Sequence, residues 1–186
     1  MQNHNERIYY ILTQFWTALK NKDWGKVERL ITLNPEIMAY GLEKAYEHLP
    51  DEYKFTIPTE CYLHNGDSMP TVRKYVRTAA RFMPMHKRVP SEFLSKSEIQ
   101  IYRAGEENIS KARYRISWTT DFEIAKWFGE RAVAFGLPPR HLYAAKIKPE
   151  KIIWYTDDRN EREVMQYNSA TDIVEIGIDG LPLLSR

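Results

Sequence analysis

With one cysteine, Cys61, in 186 residues, the chain has no internal disulfide to brace it, which excludes a small disulfide scaffold. Glycine and proline stand at 8 and 10, too few for collagen or a low-complexity linker. Apolar runs are short, Ile152-Ile153-Trp154-Tyr155 being typical, whereas a membrane-spanning helix needs about 20 such residues. The first residues, Met1 to Arg7, lack a basic stretch leading into an apolar core and a small-residue cleavage site. Together with the lone cysteine, this sets the expectation of a cytoplasmic protein.

Several chemistries fall away because their spacings are missing. There is no Gly-x-x-x-x-Gly-Lys phosphate loop, no Gly-x-Gly-x-x-Gly turn, no Gly-x-Ser-x-Gly elbow and no His-Glu-x-x-His pair. The histidines, His4, His48, His64, His86 and His141, are scattered, so no metal site is expected. Cys61 reads as a small buried hydrophobe, not a nucleophile.

What remains is ordinary globular material, 43% hydrophobic and 28% charged, enough for one domain with a helical extension or two small domains. The net charge of +2 hides an uneven distribution. From Ser68 to Pro90 there are six basic residues, Arg73, Lys74, Arg77, Arg81, Lys87 and Arg88, and no acid. Such a segment is either a solvated helix face or a surface for phosphate backbones or an acidic partner.

Apolar residues at three- and four-residue intervals predict helices from about Glu6 to Leu49, with Asn34-Pro35 starting a new one. Thr56 to Pro70, broken by Pro58, Gly66 and Pro70, reads as loop, and Thr71 to Met83 as a basic helix. Near Pro90 the period changes from about 3.6 to 2. Candidate strands are Glu98–Arg103, Arg113–Thr119, Leu142–Ile147, Lys151–Tyr155, Glu163–Tyr167 and Thr171–Ile178. A helix over Asp121–Ala134 interrupts them, with Thr120 and Glu123 as its capping box. The class is α+β. The expected division is 1–95, a helical region carrying the basic segment 68–90, and 96–186, a strand-rich domain.

Three pieces of the second half can carry chemistry. Arg103 ends the apolar strand face of Ile99 and Ile101, beside Gly105, where its planar fork could grip a phosphate or bond loop carbonyls. Ser117 and Thr119 share one side of Ser117-Trp118-Thr119, a pair of hydroxyls able to position a ribose or order a carboxylate. Glu161 and Glu163 sit where an acidic turn becomes an apolar strand, Glu163 on the rigid side. Each piece alone is also compatible with plain surface.

Taken in order, Arg103, Ser117-Trp118-Thr119 and Glu161-Arg162-Glu163 resemble the NAD-dependent mono-ADP-ribosyltransferases of the arginine–serine–glutamate class, over about Ile99 to Ile178. Phe128-Gly129-Glu130-Arg131 is similar to that family's Phe-x-x-Arg segment. The resemblance implies a split β-sandwich with one or more helices, and NAD as co-substrate without a metal. By the same resemblance Arg103, Ser117, Thr119, Phe128 and Arg131 would bind NAD, Glu163 would bond the nicotinamide ribose, and Glu161 would engage the acceptor. Where the family commonly has Ser-Thr-Ser, this chain has Ser-Trp-Thr.

Glu-x-Glu often accompanies arginine acceptors in that family, which makes a protein-arginine transferase one reading. The basic segment turns the expectation toward nucleic acid, RNA, held by Arg73, Lys74, Arg77 and Arg81 with stacking on Tyr75 and Phe82. Family habit and size then suggest a bacterial toxin of a toxin–antitoxin or anti-phage system, with an antitoxin protein as possible partner. The alternatives are an NAD glycohydrolase, an RNA 2′-phosphotransferase-like enzyme, and a non-catalytic nucleic-acid or partner-binding module.

Overall fold

In a computed structural model, residues 3–65 and 68–183 are described. The chain divides into two compact units, Met1–Met83 and Pro84–Arg186. Among the described residues no helix is long and apolar enough to cross a membrane.

The first unit is helical: α1 (His4–Lys20), α2 (Trp24–Thr32), α3 (Pro35–Ala45), α4 (Asp51–Asn65) and α5 (Pro70–Ala79), with 3-10 turns at Tyr46–His48 and Ala80–Phe82. Asn3 and Glu6 form a reciprocal capping box on α1, Asp23 caps α2, and Pro35 opens α3 in the first turn, where its missing N–H costs nothing. The segment expected as loop is instead helix α4, which runs straight through Pro58. Phe55, Ile57, Pro58, Thr59, Cys61 and Tyr62 are all buried, so α4 is enclosed around most of its circumference. Tertiary burial, not propensity, therefore holds it. The Thr59 hydroxyl donates to the Phe55 and Thr56 carbonyls beside the proline. Gly66, the second expected breaker, lies outside the described residues.

Basic helix α5 is amphipathic as expected, with Val72, Tyr75, Val76 and Ala79 inward and Lys74 and Arg77 exposed, and Arg81 is exposed in the 3-10 turn that follows. Tyr75 is no stacking platform, however. Its ring is buried against Tyr46, 4.0 Å between centroids, and the Lys74 Nζ lies over it at 5.0 Å from its centroid. Arg88 also leaves the basic surface: it is buried in the second unit and donates to the Ile152 carbonyl.

The second unit opens with α6 (Met85–Arg88) and α7 (Ser91–Leu94) and then forms one six-stranded antiparallel sheet. Its strands are β1 (Ile99–Gly105), β2 (Ser117–Thr119), β3 (His141–Ile147), β4 (Trp154–Thr156), β5 (Glu163–Met165) and β6 (Thr171–Ile176), in the order β4-β5-β2-β1-β3-β6. The α+β class is thus as expected. The second strand is shorter than its alternation suggested, since 109–112 form a helical turn, α8, and Tyr114 lies in the turn that follows. One sheet face packs Ile99, Ile101, Trp118, Tyr143, Ile147 and Val164 together. The other, built on Leu142, Ala144 and Ile176, lies under α9 (Phe122–Ala134). Gly129 lets that helix approach closely, since a Cβ there would stand 3.3 Å from Leu142. The cap of α9 is Asp121, not Thr120: its carboxylate accepts from the Glu123 amide at 2.9 Å, and its negative charge suits a helix start.

Candidate active site

β1 and β2 pair at a single position, Tyr102 opposite Thr119, so the sheet parts beyond it. The reason is legible in the ladder. Ile116 and Thr120 turn their backbone groups toward the β5 side, bonding Gln166 and Arg162, which leaves the Ser117 carbonyl facing β1. No β1 amide takes it; the Arg103 guanidinium does, through Nη1. Arg103 thereby spans the gap.

The cavity at this parting, about 180 Å³, is lined by Tyr102, Arg103, Ala104, Ser117, Trp118, Thr119, Ala125, Phe128, Arg140, Glu161 and Glu163. Pockets that enclose a whole drug-sized ligand run to about 300–1,000 Å³, so this one suits one end of an extended molecule. Of the candidate site residues, Arg103, Ser117, Thr119, Phe128, Glu161 and Glu163 thus come together. Arg131 does not line this cavity. Its guanidinium lies over the Trp127 ring at 4.9 Å and the Phe135 ring at 5.4 Å. Arg73, Lys74, Arg77 and Arg81 belong to the first unit.

Arg103 is held by a carboxylate that the sequence reading missed. Glu107 accepts from Arg103 Nε at 2.7 Å, and its other oxygen lies 3.4 Å from Arg115 Nε. Its side chain is only 4% exposed. Burial alone would push this carboxyl up, but the charge and hydrogen bond of Arg103, a backbone amide and Arg115 outweigh it and hold it below the ordinary carboxylate range. Gly105 is required by this packing, because a Cβ there would stand 2.4 Å from the Glu107 carboxylate. Tyr143, buried in the sheet core, donates its hydroxyl to the Glu107 carbonyl and fixes the turn from beneath.

The opposite wall is Glu163, directly across from Thr119 in the β2–β5 register. It is buried, and burial pushes its carboxyl above the usual range, with the Glu161 charge adding to the effect. The Ser117 hydroxyl, which donates to it, and the Arg159 charge hold it partly down. The loop 157–162 carries Glu161 under backbone constraint, with φ of 54° at Asn160 and 46° at Arg162, a region few arginines adopt. It is pinned by the Thr119 hydroxyl, which donates to the Glu161 carbonyl at 2.7 Å, and by Arg162, whose amide donates to Asp157 and whose guanidinium reaches Asp121 at 3.2 Å. Thr119 therefore positions Glu161, as Ser117 positions Glu163. Trp118, between them, points to the other sheet face and is 2% exposed, a core residue.

Arg140 is a second residue that sequence reading missed. It precedes β3, and its Nε is buried with no hydrogen-bond partner among the described residues. A cationic side chain in the cavity lining favours an anionic oxygen there. No spacing motif marks it, because only the fold brings it beside Arg103. Cys61 is enclosed in the first unit, where burial pushes its thiol up to about 12, leaving little thiolate for attack. Among the described residues no group of three or more His, Cys, Asp or Glu side chains could hold a metal ion. No family model matches the chain, and neither a curated protein nor a solved structure is significantly similar to it.

Proposed function

We propose that this chain is an NAD-dependent mono-ADP-ribosyltransferase with its active site in the second unit. One observation carries the reading: Arg103, Ser117, Glu161 and Glu163, far apart in sequence, line one cavity, with the Ser117 hydroxyl hydrogen-bonded to the Glu163 carboxyl. The parting of β1 and β2 supports the finer reading of the sheet as the split sandwich of that family.

Cleaving the nicotinamide–ribose bond builds positive charge on the sugar, as in glycoside hydrolysis, and a fixed carboxylate stabilises it. Glu163 takes that part, oriented by Ser117. Ala104, Ala125 and Phe128 offer an apolar wall for the nicotinamide ring, and Glu161 accepts the proton that the acceptor loses. The Arg140 guanidinium in the cavity lining suits a diphosphate oxygen, while Arg103 shapes the cleft between the strands. Replacing Arg140 by alanine should raise the KM for NAD about tenfold with kcat within a few-fold, the loss of about one charged hydrogen bond. Steady-state nicotinamide release measures it.

The loop geometry favours a guanidinium acceptor. Arg159 Nη2 lies 3.2 Å from Glu161 and 3.3 Å from Glu163, and one guanidinium held between the two carboxylates supports this reading. A nucleic-acid acceptor is the second reading, supported by the exposed Lys74 and Arg77 of α5 and Arg81 of the turn after it. Tagged NAD, incubated with the protein and a cell lysate and followed by protease or nuclease digestion, separates them. Label removed by protease alone is the expected result. Label removed by nuclease alone establishes RNA or DNA as acceptor, and no label with no nicotinamide release overturns the transferase reading.

A further inference from the structure

The contact between Arg159 and the two glutamates goes further than acceptor class. Its guanidinium belongs to the chain's own β4–β5 loop, four residues before Glu163, and it is half-exposed. Its Nη2 touches Glu161 Oε2 and Glu163 Oε2 at almost equal distances. On the transferase reading, on which this inference rests, that is where an attacking nitrogen must be: beside the carboxylate that stabilises the ribose and beside the one that takes the proton. Arg159 is half-exposed but Glu163 is buried, so the guanidinium also offsets the charge of that buried carboxylate.

The loop cannot easily withdraw the group. Asn160 and Arg162 at positive φ set the turn, the Asn160 amide donates to the Asp157 carbonyl, and Arg162 is tied to both Asp157 and Asp121. Holding a nucleophile against its target in this way replaces a bimolecular encounter with an intramolecular one. Arg159 and Glu161 also line a second cavity, with Asp121, Glu123, Trp127 and Phe128 in its wall, so the guanidinium is reached from outside the loop.

We propose that Arg159 is a site of intramolecular ADP-ribosylation. The Arg159 Nη2–C1′ bond forms as the C1′–nicotinamide bond breaks; its electron pair leaves with nicotinamide, which departs neutral, and the displaced guanidinium proton goes to Glu161. No other reactant is needed. A guanidinium of another protein reaches the same place only by displacing Arg159, so the loop competes with every external acceptor.

The test uses the purified full chain alone with adenine-tagged NAD, measuring nicotinamide release and mapping the label by fragmentation that preserves the arginine adduct. The expected result is one ADP-ribose on Arg159, at a rate per molecule unchanged by tenfold dilution. Excess of a small free guanidine compound should lower Arg159 labelling several-fold as the compound becomes labelled. Arg159→Lys should lose protein-bound label at least tenfold, with a thermal melt to check its folding. Nicotinamide release with Arg159 unmodified in the wild-type protein overturns this proposal alone, and labelling that slows in proportion to dilution overturns its intramolecular step. Absence of nicotinamide release overturns the transferase reading and this proposal with it.

Discussion

Glu163→Gln is expected to lower ADP-ribosyl transfer by about 10³-fold while leaving NAD affinity within a few-fold. The amide keeps the shape and can still meet the Ser117 hydroxyl, but it removes the negative charge that matters most as the sugar becomes cationic. A ground-state role would show the reverse pattern, weakened binding with turnover retained, in isothermal titration and single-turnover assays. The buried carboxyl also sets the pH dependence. Because burial holds it above the usual range, activity of the wild-type protein should fall as pH drops through that raised value, at a higher pH than for an exposed glutamate. Full turnover by the glutamine variant would remove Glu163 from the chemistry.

Glu107→Ala is expected to destabilise the second unit by about 3 kcal/mol, since it leaves the largely buried Arg103 guanidinium without its main partner. Urea unfolding followed by tryptophan fluorescence measures the loss. The sign of the pH effect follows from the depressed folded-state value: the contribution of Glu107 is complete above the ordinary carboxylate range and disappears as pH falls through the lower folded value. The variant should therefore lose part of the acid limb of the stability profile. It should also bind NAD at least tenfold more weakly, because the guanidinium that spans β1 and β2 no longer has its fixed plane. Unchanged unfolding would mean that the Ser117 carbonyl alone suffices to hold Arg103.

How far the sequence alone could take this is clearest at particular residues. Arg103, Ser117, Thr119 and Glu163 were legible because they occupy strand positions, where the two-residue period fixes the facing of each side chain. Pro58 misled because it stands inside helix α4, where the buried arc of Phe55, Ile57, Thr59, Cys61 and Tyr62 covers more than half of the circumference and leaves only a weak 3.6-residue signature. Thr120 and Asp121 both satisfy N-cap chemistry, so the choice depended on one residue of strand length. Glu107 and Arg140 carry no pattern at all. Their meaning comes from a turn folding back under Gly105 and from β3 beginning beside the cavity, both long-range events. Tyr75 looked like part of a nucleic-acid surface because its sequence neighbours are basic, but its ring is buried against Tyr46 and takes up the Lys74 ammonium instead.

Between β1 and β2 the backbone is joined by a single pairing, with the Arg103 guanidinium bridging the parting beside it. Cohesion across that seam is thus open to whatever lies in it. A molecule that touches Ala104 and Arg140 on one side and Ser117 and Glu163 on the other acts as a rivet, and occupancy at a hundred times Kd adds about 2.7 kcal/mol to the folded state. Melting temperature becomes a gauge of what the cleft holds, readable before any product is formed and in variants that no longer turn over.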